Sequence, residues 1–212
     1  VLNSTVNKLI RFLPSRANGN ELWVANSAWV SDKITPSEAW TQNLQSTFFS
    51  SIHTVDYMDF LGVKGEIDYW CNVNTNGLIP AMPTTYNLNS KVLLANALYF
   101  AGQWSEKFDK SLTTTENFRG IAGTTAVAMM HQDGIKQYKR GSNYQSVSVG
   151  MGNTELIVLL PDENVSVADV AKSLTAADFN GMESAYVKLS MPRFDVRTVL
   201  MPKIFEALGL PE

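Results

Sequence analysis

The chain has 212 residues, of which 45% are hydrophobic and 17% are charged, and its formal net charge is −3. This length is enough for one large domain or two small ones, and the composition excludes an intrinsically disordered protein. The sequence has no Lys/Arg runs, which argues against a nucleic-acid binder, and no apolar run reaches the roughly 18–20 residues of a membrane span. Because Cys71 is the single cysteine, an internal disulfide is impossible.

The first segments alternate between helical and strand-like patterns. Residues 1–13 carry apolar side chains at near-helical spacing, and Pro14 ends that pattern. Residues 22–30 are typical of a strand, with Asn26 in the middle. The sequence Thr-Pro-Ser-Glu at residues 35–38 predicts a helix start with Thr35 as the N-cap.

A strand and an amphipathic helix are predicted next. Residues 51–60 alternate between two faces, one of them mostly apolar, as in a half-buried strand. Residues 63–79 predict the clearest helix of the chain, and Asn76-Gly77 suits its C-terminus. The apolar stripe of this helix consists of Val63, Ile67, Trp70 and Val73.

The stretch around which the chain is organised is residues 92–100, which are apolar at every position except Asn96. Strict alternation would indicate one wet face, so the unbroken run predicts a central strand that is buried on both faces. A helix is disfavoured because the run is short and has no 3.6-residue period. An unpaired buried amide costs about 1–3 kcal/mol, so we expect Asn96 to have a fixed partner, either neighbouring backbone or a group from elsewhere in the fold.

The second half predicts an antiparallel meander that Pro161-Asp162 closes, followed by a short helix at residues 166–174. Turn signals, among them Asp133-Gly134, separate five strand-like pieces: residues 116–119, 124–131, 134–138, 146–149 and 154–160. A further strand is predicted at residues 185–196, with a bend at Pro192, and a last helix at residues 199–208.

No pattern in the sequence points to catalysis or metal binding. His53 and His131 are the only histidines, and no Gly-x-Ser-x-Gly surrounds any serine, so both histidines are interpreted as structural or exposed. Two isolated histidines and one cysteine give no metal-ligand spacing. We therefore predict no catalytic residue, no metal site and no cofactor.

Several blocks, taken in chain order, match one family pattern. Residues 92–104, VLLANALYFAGQW, resemble the V-L-V-N-A-I-Y-F-K-G-x-W strand of the serpins, with Ala101 where a Lys is usual. Residues 67–79 are similar to the family's I-N-x-W-V-x-x-x-T-x-G-x-I helix, from which Asp68 and Cys71 depart. LLPD at 159–162, LSMPRF at 189–194 and LGL at 208–210 also match. The family's usual L-P-Y is replaced by Ser-Val-Gly-Met at residues 148–151.

The resemblance covers almost the whole chain and implies an α+β fold. We expect one serpin-like domain over residues 1–212, incomplete at both ends, with a large, mainly antiparallel central sheet covered by helices and a second antiparallel meander sheet. The resemblance also implies a protease trap. A target serine protease, less often a cysteine protease, cleaves a reactive-centre loop and becomes acylated, and the loop then inserts as a new strand in the large sheet.

In that picture the strand at residues 92–100 is one of the two that part to admit the loop. Asn96 matches a polar residue of the shutter beneath the opening, and Trp104 matches a breach residue at the top, where insertion begins. The helix that carries Ile67 and Trp70 covers the sheet and has to yield. The reactive bond itself is expected to lie outside this chain.

Two functions stay open on this basis: a suicide inhibitor of a serine-type endopeptidase, and a serpin-fold protein that binds a ligand or acts as a chaperone without inhibiting. An enzyme is the disfavoured third hypothesis. We expect a metastable, monomeric protein whose partner is a protease, with no nucleic-acid partner and no membrane span. An extracellular, cell-surface or periplasmic location suits such an inhibitor.

Overall fold

The computed structural model describes residues 2–12, 15–17, 20–82, 86, 88–121 and 123–196. The chain divides into two compact units, Val1–Gly102 and Gln103–Glu212, each built around one sheet. The architecture is α+β, as predicted. The helix predicted at residues 199–208 lies outside the described residues.

The described residues of the first unit form three helices and a four-stranded mixed sheet. Its elements are α1 (Leu2–Phe12), β1 (Ser15–Ala17), β2 (Asn20–Ser31), α2 (Glu38–Phe48), β3 (Ser51–Val55), α3 (Phe60–Asn74) and β4 (Val92–Ala101). Strand β2 lies in the middle, antiparallel to β1 and β4 and parallel to β3. In the part of the chain that the structure describes, no strand pairs with the second edge of β4.

The prediction that residues 92–100 form a strand is confirmed, but the prediction that both faces are buried is wrong. Exposure alternates along β4: Ala95, Ala97 and Tyr99 are buried, whereas Leu94 is 64% and Leu98 57% exposed. The reason is that the buried cluster beneath α3 lies on the face of Ala95, Ala97 and Tyr99 and includes neither Leu94 nor Leu98. The apolar run therefore predicts the strand correctly, but it does not predict which face of the strand is buried.

The helix boundaries differ from the predicted ones because of local capping. Helix α2 begins after Ser37, not Thr35, since the Ser37 hydroxyl accepts a hydrogen bond from the backbone N–H of Trp40 at 3.3 Å. Strand β3 ends at Val55, earlier than predicted. Helix α3 then begins at Phe60, where the Asp59 side chain caps it, and ends in a turn at Gly77, which has a φ of +79°.

Within its described residues, the second unit consists of a five-stranded antiparallel sheet and one short α-helix. Its strands and helix are β5 (Thr114–Gly120), β6 (Gly123–Arg140), β7 (Tyr144–Met151), β8 (Thr154–Pro161), α4 (Val167–Ser173) and β9 (Glu183–Pro192). The turn predicted at Asp133-Gly134 is wrong. Both residues lie inside β6, because pairing with Lys188 and Val187 of β9 continues through them. Strand β9 ends at Pro192 and does not extend to residue 196.

Candidate functional site

Helix α3 lies over one face of the first sheet. Val63 and Ile67, which is completely buried, pack in one cluster with Trp29 of β2, Val55 of β3 and Tyr57. Two partly buried side chains, Trp70 and Leu93 of β4, border the same cluster. The buried face of the helix therefore follows the predicted stripe except at Val73, which is 50% exposed because Cys71 points inward instead.

The turn after α3 is tied directly to β4. The Asn76 side-chain amide donates a hydrogen bond to the Tyr99 hydroxyl at 3.0 Å, and the Tyr99 ring packs against Trp23 with centroids 5.0 Å apart. The helix is also held to its own following loop, since Asp68 Oδ1 accepts a hydrogen bond from the Met82 backbone N–H at 3.0 Å. Asp68 is one of the two departures from the family pattern, and here it anchors that loop.

Asn96 lies on the opposite face of β4, where it joins two strands and a helix end. Its Nδ2 donates to Asn26 Oδ1 at 2.8 Å and to the Ala25 carbonyl at 3.3 Å. The Asn26 Nδ2 in turn donates to the carbonyl of Phe48, the last residue of α2, at 2.8 Å. The predicted partners of Asn96 are therefore found, but the prediction that this amide is buried is wrong, because Asn96 is exposed. Among the described residues, no group donates to the Asn96 amide oxygen.

The partner of Asn96 was not identified from the sequence, although a signal for it existed. Asn26 is the single Asn in the middle of the apolar β2, as Asn96 is in β4. In the antiparallel register, Asn26 and Asn96 are directly opposite each other, so their side chains share a face. The two residues are 70 positions apart, and only a correct strand register would have brought them together.

One edge of β4 has unpaired main-chain hydrogen-bonding groups within the described residues. Ten residue pairs join β4 to β2, from Glu21↔Ala101 to Val30↔Val92, so one edge of β4 is fully used. The other edge presents backbone N–H and C=O groups that have no strand partner within the described residues. Such an edge accepts an additional strand through main-chain hydrogen bonds.

Trp104 lies in the second unit and is partly buried. Its ring packs edge-on against Phe108 with centroids 5.6 Å apart. Both rings border a cluster of buried side chains from β7 and β9: Val147, Val149, Leu189 and Met191. These contacts are those of a core aromatic residue.

His131 contacts side chains of two neighbouring strands, which agrees with its interpretation as a structural or exposed residue. Its Nδ1 lies 3.0 Å from the Ser190 hydroxyl and its Nε2 lies 2.8 Å from a carboxylate oxygen of Glu116. These residues come from β6, β9 and β5, and together they resemble a serine–histidine–acid relay. They lie, however, on an exposed sheet face, where no walls position a substrate or exclude water. We interpret the trio as a polar cross-strand link.

Neither a reactive cysteine nor a metal-ligand cluster is found among the described residues. Cys71 is buried, and burial raises the pKa of its thiol, which disfavours the reactive thiolate. Within the described residues no group of three or more His, Cys, Asp or Glu side chains could hold a metal ion. No helix in the described part of the chain is long and apolar enough to cross a membrane.

Comparison with known proteins agrees with the fold. A family model described as Serpin (serine protease inhibitor) matches residues 1–212. The chain is 29% identical to human Serpin I2 over 186 residues, which are 82% of this chain and 46% of that protein. The chain thus spans about half the length of the curated relatives that it matches.

Solved structures agree equally well. Ovalbumin from emu superposes with a TM-score of 0.88 at 19% identity, over 98% of this chain and 57% of that one. A thyroxine-binding globulin in complex with thyroxine superposes with a TM-score of 0.82 at 19% identity, over 91% of this chain and 55% of that one. At such identities, the likeness concerns the fold alone.

Proposed function

The chain belongs to the serpin family, and on that premise we propose that the protein inhibits a serine-type endopeptidase by suicide-substrate trapping. In this proposal, residues 1–212 are part of one serpin-like domain. The target protease, which can also be a cysteine protease, cleaves a reactive-centre loop, remains acylated on it and is inactivated as the loop inserts into the first sheet.

The observation that carries the proposal is the free edge of β4. An inserting strand needs a row of unused main-chain donors and acceptors, and β4 presents such a row while β2 occupies its other edge. The ten-pair ladder between β2 and β4 keeps these two strands together as a unit. The opening for the loop is then on the side of β4 that faces away from β2.

Asn96 is assigned to the shutter in this proposal. Its Nδ2 is fixed on β2 through Asn26 and Ala25, which leaves its amide oxygen able to accept a donor from an incoming strand. Because Asn26 also holds the Phe48 carbonyl, a change at Asn96 is transmitted to the end of α2. Amide hydrogen bonds suit this task, since they can be exchanged for others without exposing a charge.

Helix α3 and Trp104 also have roles in the proposed loop insertion. Ile67 and Trp70 cover the sheet, and the bond between Asn76 and Tyr99 makes α3 follow β4 when the sheet rearranges. Trp104 is assigned to the breach, where insertion starts, on the basis of the family resemblance and its partly buried position.

The experiment is incubation of the full-length protein with trypsin-like and elastase-like proteases, followed by denaturing gel electrophoresis. We expect an SDS-resistant covalent complex with at least one of them, and a raised stoichiometry of inhibition for Asn96→Ala. Tyr69→Ala, at a side chain that is 72% exposed on α3, is the control and should leave the stoichiometry unchanged. Clean cleavage with no complex for every protease tried would contradict inhibition.

A second candidate is a serpin-fold protein that binds a ligand or acts as a chaperone without inhibiting. It is favoured by the similarity to a thyroxine-binding globulin, which was solved in complex with thyroxine. The same incubation separates the two, because a non-inhibitory protein is cleaved and released without complex formation. We further propose that the protein is metastable, monomeric and secreted, at the cell surface or in the periplasm, which suits an inhibitor of proteases.

A further inference from the structure

A cavity of about 270 Å³ lies in the second unit beside β6 and β7. It is bordered by side chains from three segments, among which the argument uses Ser105, Glu106, Gln132, Lys136 and Ser148, together with Gly150. A volume just below the roughly 300–1,000 Å³ of drug-sized ligand sites suits a small molecule. Four of these six residues carry an ionisable or hydroxyl group, whereas genuinely empty cavities are apolar.

Lys136 is the most informative residue of the cavity. Its side chain is only 6% exposed, whereas lysines are almost never buried to that extent unless they are paired. The ammonium donates to Glu106 Oε2 at 2.9 Å, and the Glu106 side chain is itself 68% exposed. The positive charge is thus inside the cavity wall, while its counter-charge lies at the solvent side and can move away without loss of hydration.

Ser105 and Gln132 are two further residues of the cavity that could hydrogen-bond a polar ligand. The Ser105 hydroxyl accepts a hydrogen bond from the Gly152 backbone N–H at 2.9 Å, which leaves its own proton to donate. Gln132 donates from Nε2 to the Glu106 carbonyl at 2.8 Å, and this bond fixes the amide orientation. Gln132 Oε1 is buried and has no hydrogen-bond partner within the described residues. The cavity wall therefore combines a buried cation, a free hydroxyl donor and an acceptor without a donor.

Gly150 keeps this space open. It lies where the sequence departs from the family's usual L-P-Y, and a Cβ atom added to it would come 3.2 Å from the Ser105 oxygen. A large side chain at this position would fill the region between Ser105 and β7.

We propose that this cavity binds a small hydroxycarboxylate. Its carboxylate takes the place of the Glu106 side chain on the Lys136 ammonium and accepts the Ser105 proton, and its hydroxyl donates to Gln132 Oε1. Glu106 swings into solvent when the ligand enters, so it acts as a competing anion. No covalent step is involved, and the site is independent of the free edge of β4.

The test is a ligand-observed NMR titration of the full-length protein with three probes of similar size: lactate, propionate and lactamide. Lactate should bind about threefold to tenfold more tightly than propionate, because propionate has no hydroxyl group to donate to the unpaired amide oxygen of Gln132. Lactamide, which has no charge, should show no saturable binding. Equal binding of lactate and lactamide would overturn the proposal.

Single substitutions test whether Lys136 and Glu106 control lactate binding. Lys136→Met keeps the length of the side chain and should abolish lactate binding, whereas Lys172→Met on the exposed α4 should leave it unchanged. Glu106→Gln should raise the lactate affinity about tenfold, because a like charge no longer competes for the ammonium. If Lys136→Met fails to fold, Glu106→Gln decides alone, and an unchanged or weaker affinity contradicts the proposal.

Discussion

Strands β4 and β6 carry ladders of equal length but differ in what remains at their edges. Ten residue pairs join β4 to β2, and ten join β6 to β9. Strand β6 has two more partners, β5 and β7, whereas β4 has none but β2 among the described residues. Within the described residues, one edge of β4 can therefore still accept a strand, whereas β6 is paired along both of its edges.

The side-chain hydrogen bonds that hold β4 also differ in charge from several of those in the second unit. In the first sheet, β4 is held by neutral hydrogen bonds, from Asn96 to Asn26 and from Asn76 to Tyr99. In the second unit, several long-range links involve charged groups, such as Arg140 with Asp162 and Tyr144 with Asp178, alongside neutral ones such as Gln137 with Ser184. Neutral bonds of about 0.5–1.5 kcal/mol each can be exchanged during a rearrangement, and this supports the assignment of movement to the first sheet.

The largest expected loss of stability comes from a substitution in α3, the helix that packs on the first sheet. Ile67→Ala should lower the free energy of unfolding by about 2–5 kcal/mol, because it opens a cavity between α3 and β2 at a completely buried position. Val73→Ala, in the same helix but 50% exposed, is the matched control and should cost under about 1 kcal/mol. Urea denaturation measures both. Equal losses would mean that α3 does not pack on the sheet through Ile67.

The next effect is the coupling between Asn26 and Asn96. A double-mutant cycle with Asn26→Ala and Asn96→Ala should give an interaction free energy of about 0.5–1.5 kcal/mol, since each single change removes the same hydrogen bond. The measurement is again denaturant unfolding of the four variants. Strict additivity would show that the two amides act independently and would break the proposed link between β2 and β4.

The tie between α3 and β4 should be slightly weaker. Tyr99→Phe removes the hydroxyl that accepts from Asn76 and keeps the ring against Trp23, so a loss of about 0.5–1 kcal/mol is expected. Tyr69→Phe, which is 72% exposed, is the control and should be neutral. If Tyr99→Phe is as neutral as Tyr69→Phe in thermal unfolding, α3 is not coupled to β4 by this bond.

The smallest effect is electrostatic and belongs to the second unit. Hydrogen bonds from the Tyr144 hydroxyl and from Thr175 lower the pKa of Asp178 from an ordinary 3.8 to about 2. Because the folded-state pKa is depressed, this carboxylate contributes stability above about pH 4, and the contribution is lost as the pH falls towards 2. The melting temperature of Asp178→Asn should thus lie below that of the unchanged protein at pH 7 and converge with it near pH 2. A constant difference across this range would assign the effect to packing.

The sequence was sufficient for the elements whose patterns are local. The stripe of Val63 and Ile67 predicted α3 and its buried face, and the apolar run of residues 92–100 predicted β4. The same run misled about burial, because whether Leu94 and Leu98 are covered depends on what packs against the sheet and not on the strand itself. Asp133-Gly134 misled for a related reason, since pairing with β9 overrides a local turn preference.

The parts of the site that could not be predicted depend on long-range register. That Asn96 needs a partner follows from one residue, but that the partner is Asn26 follows only from how β2 and β4 align. Lys136 gave no signal at all, because a lysine within a strand is usually exposed, and its burial depends on Glu106, which lies 30 residues earlier in the chain.

The central claim is that the free edge of β4 receives a strand when a protease acts on the protein. Hydrogen–deuterium exchange of the full-length protein, before and after reaction with a protease that cleaves it, measures this directly on peptides that cover Val92–Ala101. We expect the β4 amides that face away from β2 to exchange quickly at first and to be protected after the reaction, while β6 stays unchanged. Inhibition with unaltered exchange across β4 would contradict the account.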